Sequence, residues 1–275
     1  MKGMAYTGWK YNIPEKFWPV VLYNFFDNPD EIRELGLRSV ESNVGHESSD
    51  GRWPGSRSED LSEIDFKLNQ KIMTKILSCY WNLGYEQIFW NQCNMQFNLI
   101  PKLDKDKNNL KNRGWIHRDG LDPRNIHNPA TSQKCRDIEL AGLIYLTPDI
   151  EKDTGTTLFD VKKDVTLEHH DNTNEARIPL FKGEPISDEE IKDAWERQRT
   201  AFIEKAKFEN IYNSLVMYDA KEFHCATSYY TSKDNRLTLG FFIGGILANQ
   251  WPLERVRMEH TDKSLHGTIC FYKSY

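Results

Sequence analysis

No stretch of the sequence approaches the roughly 18 consecutive apolar residues that a membrane-spanning helix needs, so no membrane association of that kind is expected. The opening residues, Met1-Lys-Gly-Met-Ala-Tyr-Thr-Gly-Trp9, lack the apolar segment of a signal peptide. Cysteine is sparse: five in 275 residues, at Cys79, Cys93, Cys135, Cys225 and Cys270, never as Cys-x-x-Cys. An odd, scattered set argues against a disulfide framework or a zinc ribbon and predicts reduced thiols in a cytoplasmic protein. Positive charge is not in excess either. A net charge of −5 and a pI near 5.9 make a nucleic-acid partner, gripped through its phosphates, unlikely.

What is present describes an ordinary globular chain: 39% apolar and 28% charged residues, enough length for a substantial core. Asp27-Asn-Pro-Asp30 supplies a helix start, with Asn28 or Asp27 as cap, and the helix is expected to end before Gly45. Residues 46–60 are dense in turn formers. Within them Trp53-Pro-Gly-Ser-Arg57 reads either as part of a lid over a site or as an ordinary surface loop. A second helix is predicted from Asp60 to about Trp81.

Beyond Gly84 the pattern becomes extended. Met95, Phe97 and Leu99 alternate with Gln96, Asn98 and Ile100. Residues 102–113 read as a mobile hydrophilic loop and 120–137 as an irregular polar one, in which His127 fits a turn better than a ligand. Residues 138–148 form a strand with apolar groups on both faces, and 156–160 a second strand, the two expected to pair as a hairpin. Adjacent His169 and His170 on a strand would point to opposite faces and not share a metal. Ser187-Asp-Glu-Glu190 opens a charged helix expected to run to about Asn210, as part of a helical insertion outside the sheet. Strands are predicted over 211–218, 223–230 and 236–246. In the last, Leu237, Leu239, Phe241 and Ile243 form a core face, while Arg236, Thr238 and Gly240 line a polar one.

The chemistry concentrates at Gly114-Trp-Ile-His-Arg-Asp-Gly120. On an extended chain His117 and Asp119, two positions apart, project to the same side. His224, in Glu-Phe-His-Cys-Ala-Thr, is a candidate third ligand. Two histidines and one carboxylate leave open positions on a metal, the facial arrangement of non-haem iron(II) sites. Arg236-Leu-Thr238 follows about a dozen residues later.

This ordered set, His117-x-Asp119, His224 and Arg236-x-Thr238, resembles the iron(II)- and 2-oxoglutarate-dependent oxygenases, in particular their prolyl 4-hydroxylase-like branch, over roughly residues 92–245. The resemblance implies a mainly β fold with flanking helices, a double-stranded β-helix (jelly-roll, cupin-like) core formed by 91–160 and 211–246. It also implies N-terminal strands and helices in 1–90 packed on the major sheet, a helical insertion at 161–210, and one domain over 1–275. It implies Fe(II) on His117, Asp119 and His224, with 2-oxoglutarate and O2 as cosubstrates. Arg236 and Thr238 would hold the far carboxylate of 2-oxoglutarate, helped by Tyr145 of Ile144-Tyr-Leu-Thr147. Gly155-Thr-Thr-Leu-Phe159 resembles the family's glycine-rich turn into the next strand.

The branch often has a tyrosine where this chain has Ile100, so Asn98 or Gln96 becomes the candidate for the inner carboxylate. The interval from His224 to Arg236 is also longer than usual. Related halogenases lack the ligand carboxylate, so Asp119 points to hydroxylation. The expected substrate is a C–H bond of a protein, a prolyl residue included, or of a small molecule. The rival reading is a non-catalytic cupin-like protein that binds a metal or small ligand, for which Arg236 and Thr238 in register are not required.

Overall fold

The computed structural model describes residues 17–42, 53–84, 88–90, 92–119, 138–163, 165, 173–232 and 235–248. The expectations for His127, the His169-His170 pair, and residues 1–16, 43–52, 120–137 and 249–275 lie outside them.

The described chain is mainly β, with antiparallel sheets and flanking helices. Its strands are β1 (Val20–Leu22), β2 (Ser56–Arg57), β3 (Ile88–Phe89), β4 (Gln92–Ile100), β5 (Ile138–Tyr145), β6 (Thr156–Val161), β7 (Phe202–Phe208), β8 (Leu215–Asp219), β9 (Phe223–Ala226), β10 (Arg236–Gly244) and β11 (Leu247–Ala248). Six build one sheet in the order β1-β8-β5-β10-β4-β2, three build a second in the order β7-β6-β9, and β11 pairs with β3.

Helices α1 (Pro29–Ser42) and α3 (Phe66–Leu77) cover the outer face of the large sheet. There Met95, Phe97, Leu140, Ile144, Leu215, Met217, Leu237, Leu239, Phe241 and Ile243 pack with Val40, Ile72, Met73 and Ile76, as the period-2 and period-3.6 patterns require. The inner face meets the small sheet: Tyr145, Val216 and Tyr218 pack on Leu158 of β6, and the Tyr145 hydroxyl lies 2.9 Å from Thr156 Oγ1.

Four expectations are corrected. The helix expected over residues 60–81 is two, α2 (Leu61–Ile64) and α3. Asp65 between them is extended (φ −151°, ψ 91°), and its carboxylate caps α3 by accepting from Leu68 N–H at 3.0 Å. Strands β5 and β6 do not form a hairpin: β5 lies between β8 and β10 while β6 lies between β7 and β9, so residues 146–155 carry the chain from one sheet to the other. In the third, the charged helix stops at Thr200. Residues 202–208, Phe-Ile-Glu-Lys-Ala-Lys-Phe, pair with β6 as an edge strand, where hydrogen bonding to a neighbour outweighs the helical propensity of Glu, Lys and Ala.

Lastly, residues 102–113 are organised around buried Asn112. Its Oδ1 accepts from the N–H groups of Leu103 and Asp104, both at 3.0 Å, and its Nδ2 donates to the carbonyls of Asp104 and Asp106. The insertion thus holds two helices, α4 (Asn174–Lys182) and α5 (Asp188–Thr200), followed by β7. No helix among the described residues is long and apolar enough to cross a membrane.

Candidate metal centre

His117 and His224 meet through a single antiparallel bridge. Each backbone N–H donates to the other's carbonyl at 2.9 Å, and the imidazole rings stand 4.4 Å apart. Asp119 is brought alongside by its N–H bonding to the Ala220 carbonyl at 3.2 Å. Its carboxylate lies 3.1 Å from His224 Nε2 and 3.7 Å from His117 Nε2. One ligand atom from each of the three falls within 4.8 Å of the others.

The outer nitrogens decide the tautomers. His117 Nδ1 is 2.8 Å from the Trp115 carbonyl, and His224 Nδ1 is 3.0 Å from that of Glu222. A carbonyl only accepts, so both Nδ1 atoms carry the proton when the rings are neutral. Both Nε2 lone pairs then face the shared space beside Asp119. Such backbone anchoring of the far nitrogen is what metal-ligating histidines show, and the donor set of two neutral imidazoles and a carboxylate suits a divalent iron.

Electrostatics separate the two imidazoles. Burial, and next the charge of His224, push His117 down to about 4. Burial also disfavours a charged His224, but the Asp119 carboxylate and its hydrogen bond outweigh it and raise His224 above its ordinary value. Burial would raise Asp119 too; the His224 charge and hydrogen bond reverse that and hold it low. Without metal, the two shifts have one cause: the Asp119 carboxylate favours a proton on His224 Nε2, and that proton favours the ionised Asp119.

On the inner face of the large sheet, β-sheet register builds a second group. Arg57 of β2 stands opposite Asn98 of β4, Asn98 opposite Thr238 of β10, and Thr238 opposite Tyr145 of β5. Directly opposite residues share a face, so these four form a row across the sheet. Asn98 lies over Gly240, where a Cβ would come within 2.9 Å of Asn98 Nδ2; that amide donates to the Gln96 carbonyl at 3.0 Å and keeps a second N–H.

Arg236, two residues before Thr238, is 2% exposed. Its guanidinium carbon sits 5.5 Å from the Tyr145 ring, and its Nε and Nη2 have no hydrogen-bond partner among the described residues. Burial lowers the affinity of Arg236 for its proton and raises Tyr145, against the opposing pull of the nearby guanidinium charge. Glu222 accepts from Lys205 Nζ at 2.8 Å.

All seven candidate residues thus fall on the space between the two sheets or at the His117–His224 bridge. Trp53 also reaches it, its ring 6.3 Å from that of His117 and 6.5 Å from that of Tyr229, with Arg57 stacked 5.2 Å above it. Residues not foreseen are Tyr218, whose ring lies 4.6 Å from His224, and Tyr229, whose hydroxyl burial pushes well above the ordinary tyrosine value. Tyr218 was visible only as an inward position of its strand.

No protein-family model and no curated protein matches the chain. Among solved structures it is similar to a prolyl hydroxylase of Trichoplax adhaerens in complex with a hypoxia inducible factor oxygen degradation domain peptide fragment, at 13% identity over 82% of this chain and 83% of that one, TM-score 0.46. A Pseudomonas putida prolyl-4-hydroxylase aligns at 11% identity, 82% and 91% coverage and TM-score 0.41. EvdO2 of Micromonospora carbonacea var. aurantiaca aligns at 12% identity, 88% and 90% coverage and TM-score 0.46.

Proposed function

We propose that the protein is an iron(II)- and 2-oxoglutarate-dependent dioxygenase that hydroxylates a C–H bond of a protein, a prolyl residue included, or of a small molecule, with release of succinate and CO2. The observation that carries the cosubstrate is the buried guanidinium of Arg236, whose Nε and Nη2 have no partner among the described residues. An uncompensated buried charge is costly, and a carboxylate answers both its charge and its fork of N–H groups. The observation that carries the metal is the convergence of His117 Nε2, His224 Nε2 and the Asp119 carboxylate.

In this reading His117, Asp119 and His224 hold the iron. Arg236 holds the far carboxylate of 2-oxoglutarate, Thr238 adds a hydrogen bond, and the neutral Tyr145 hydroxyl lies beside the same group. Asn98 donates its remaining amide N–H to the inner carboxylate. Bound iron and 2-oxoglutarate supply the activation of O2 for C–H hydroxylation; the chain supplies ligands, orientation and a dry enclosure. Val216, Leu158 and Tyr218 exclude water from between the sheets, which we assign as the two halves of a double-stranded β-helix. Half-buried Trp53, packed edge-on against buried Tyr229, stands beside His117 where substrate enters.

Turnover of 2-oxoglutarate tests the proposal. Purified protein with Fe(II), ascorbate and O2 should convert 2-oxoglutarate to succinate slowly without substrate, and not with Arg236→Ala. Metal binding with no succinate formed, across a panel of peptide and small-molecule substrates, would favour the non-catalytic cupin-like binder.

A further inference from the structure

Among the described residues, the segment carrying His117 has a strand neighbour on one side only. His117 exchanges both backbone hydrogen bonds with His224 of β9. Successive peptide groups of an extended chain face opposite sides, so the N–H and C=O of Ile116 point away from β9. Ile116 is buried at 3% exposure, and backbone groups buried there need partners. Gln198, in the last turn of α5 and 1% exposed, supplies both. Its Oε1 accepts from Ile116 N–H at 2.8 Å and its Nε2 donates to the Ile116 carbonyl at 2.8 Å. A primary carboxamide carries an acceptor and a donor side by side, so one side chain stands in for a residue of a missing strand.

The neighbouring residues are held from the same direction. Arg199 donates to the Gly114 carbonyl at 3.1 Å, and Trp115 packs among Ala176 of α4 and Ile191 and Ala194 of α5. On the far side Gly114 lies so close to β9 that a Cβ would come within 2.0 Å of the Ala226 carbonyl oxygen. Residues 114–116 are thus clamped between the insertion helices and β9, and it is the Trp115 carbonyl that accepts from His117 Nδ1.

We infer that Gln198 is a positioning residue for the metal centre: by pairing both backbone groups of Ile116 it fixes the Trp115 carbonyl and, through it, the tautomer and direction of the His117 imidazole. This rests on reading His117, Asp119 and His224 as metal ligands. The helical insertion then acts as the outer scaffold of the ligand segment, not as an appendage to the sheet.

The test titrates the full apoprotein with Co(II), followed by its d–d absorption and by calorimetry, with the melting temperature of each apoprotein measured alongside. Gln198→Met removes both hydrogen bonds, and Gln198→Glu keeps only the acceptor. Asn210→Ala, which deletes a buried bond to Thr154 Oγ1, serves as a destabilised comparison away from the ligands.

Both Gln198 variants should lose about 10- to 100-fold in Co(II) affinity, the size expected when a ligand's supporting partner is removed, and shift the d–d band, while Asn210→Ala binds as wild type. If Gln198→Met does not fold, Gln198→Glu decides. Wild-type Co(II) affinity and spectrum in the folded Gln198 variants would overturn the inference. Wild-type protein that binds Co(II) but not 2-oxoglutarate would sink the oxygenase reading and leave the inference standing. No Co(II) binding by wild type would sink both.

Discussion

His224 Nε2 lies 3.1 Å from the Asp119 carboxylate while its Nδ1 is turned to the Glu222 carbonyl, so the atom that would bind iron is the one that, when protonated, donates to Asp119 in the apoprotein. Metal and proton therefore compete for His224 Nε2.

Metal affinity should accordingly fall with pH. His224 is held above its ordinary value near 6.5, so metal must displace its proton at least below that pH. Calorimetric Co(II) titrations at pH 8, 7 and 6 should show up to about a tenfold loss per unit once below that raised value. An affinity that does not change between pH 8 and 6 would contradict the assignment.

The apoprotein should also lose stability in acid through His117 and Asp119. His117, depressed to about 4, stays neutral in the fold while the unfolded chain takes up a proton, so its contribution is lost as pH falls from about 6.5 towards 4. That shift corresponds to roughly 3 kcal/mol. Asp119, also depressed, adds a loss below its ordinary value, and His224, raised, works in the opposite sense. His117→Asn should flatten the decline between pH 6.5 and 4.5 in urea melts; an unchanged slope would exclude His117 as its source.

Arg236→Met should separate stability from function. Replacing a buried, incompletely partnered cation by an apolar chain of similar length is often neutral or stabilising by about 1–4 kcal/mol. The apoprotein's Tm should stay level or rise by several degrees, while the further rise on adding 2-oxoglutarate with a non-oxidisable metal disappears. A variant that still gains Tm from 2-oxoglutarate would remove Arg236 from the cosubstrate site.

Gly36 in α1 should resist replacement despite its poor helix propensity. Alanine gains about 1 kcal/mol in an exposed helix. Here its Cβ would come within 2.5 Å of the buried Phe97 ring, and such overpacking typically costs about 1–3 kcal/mol. Gly36→Ala should lower the urea midpoint; a raised midpoint would mean the helix moves away freely from β4.

The geometry of the candidate site was legible where its logic is local. His117-x-Asp119 and Arg236-x-Thr238 each need only the alternation of an extended chain, and the inner and outer faces of β4 and β10 follow the same rule. What the sequence hides is partnership. The residues 202–208 carry helix formers but find β6 beside them, and Asp65 looks like one more helical residue until its carboxylate caps the next turn. Gln198 reads as one polar residue of a charged helix; its role exists only because Ile116 lacks a strand on that side.

Anaerobic titration of the apoprotein with Fe(II) and 2-oxoglutarate, read by visible absorption, tests the central claim most directly. A weak metal-to-ligand charge-transfer band should appear in wild type, be absent in His117→Ala, and be absent in Arg236→Ala although that variant still binds metal. Metal bound by wild type without such a band would contradict the oxygenase assignment and leave a metal-binding protein of the same fold.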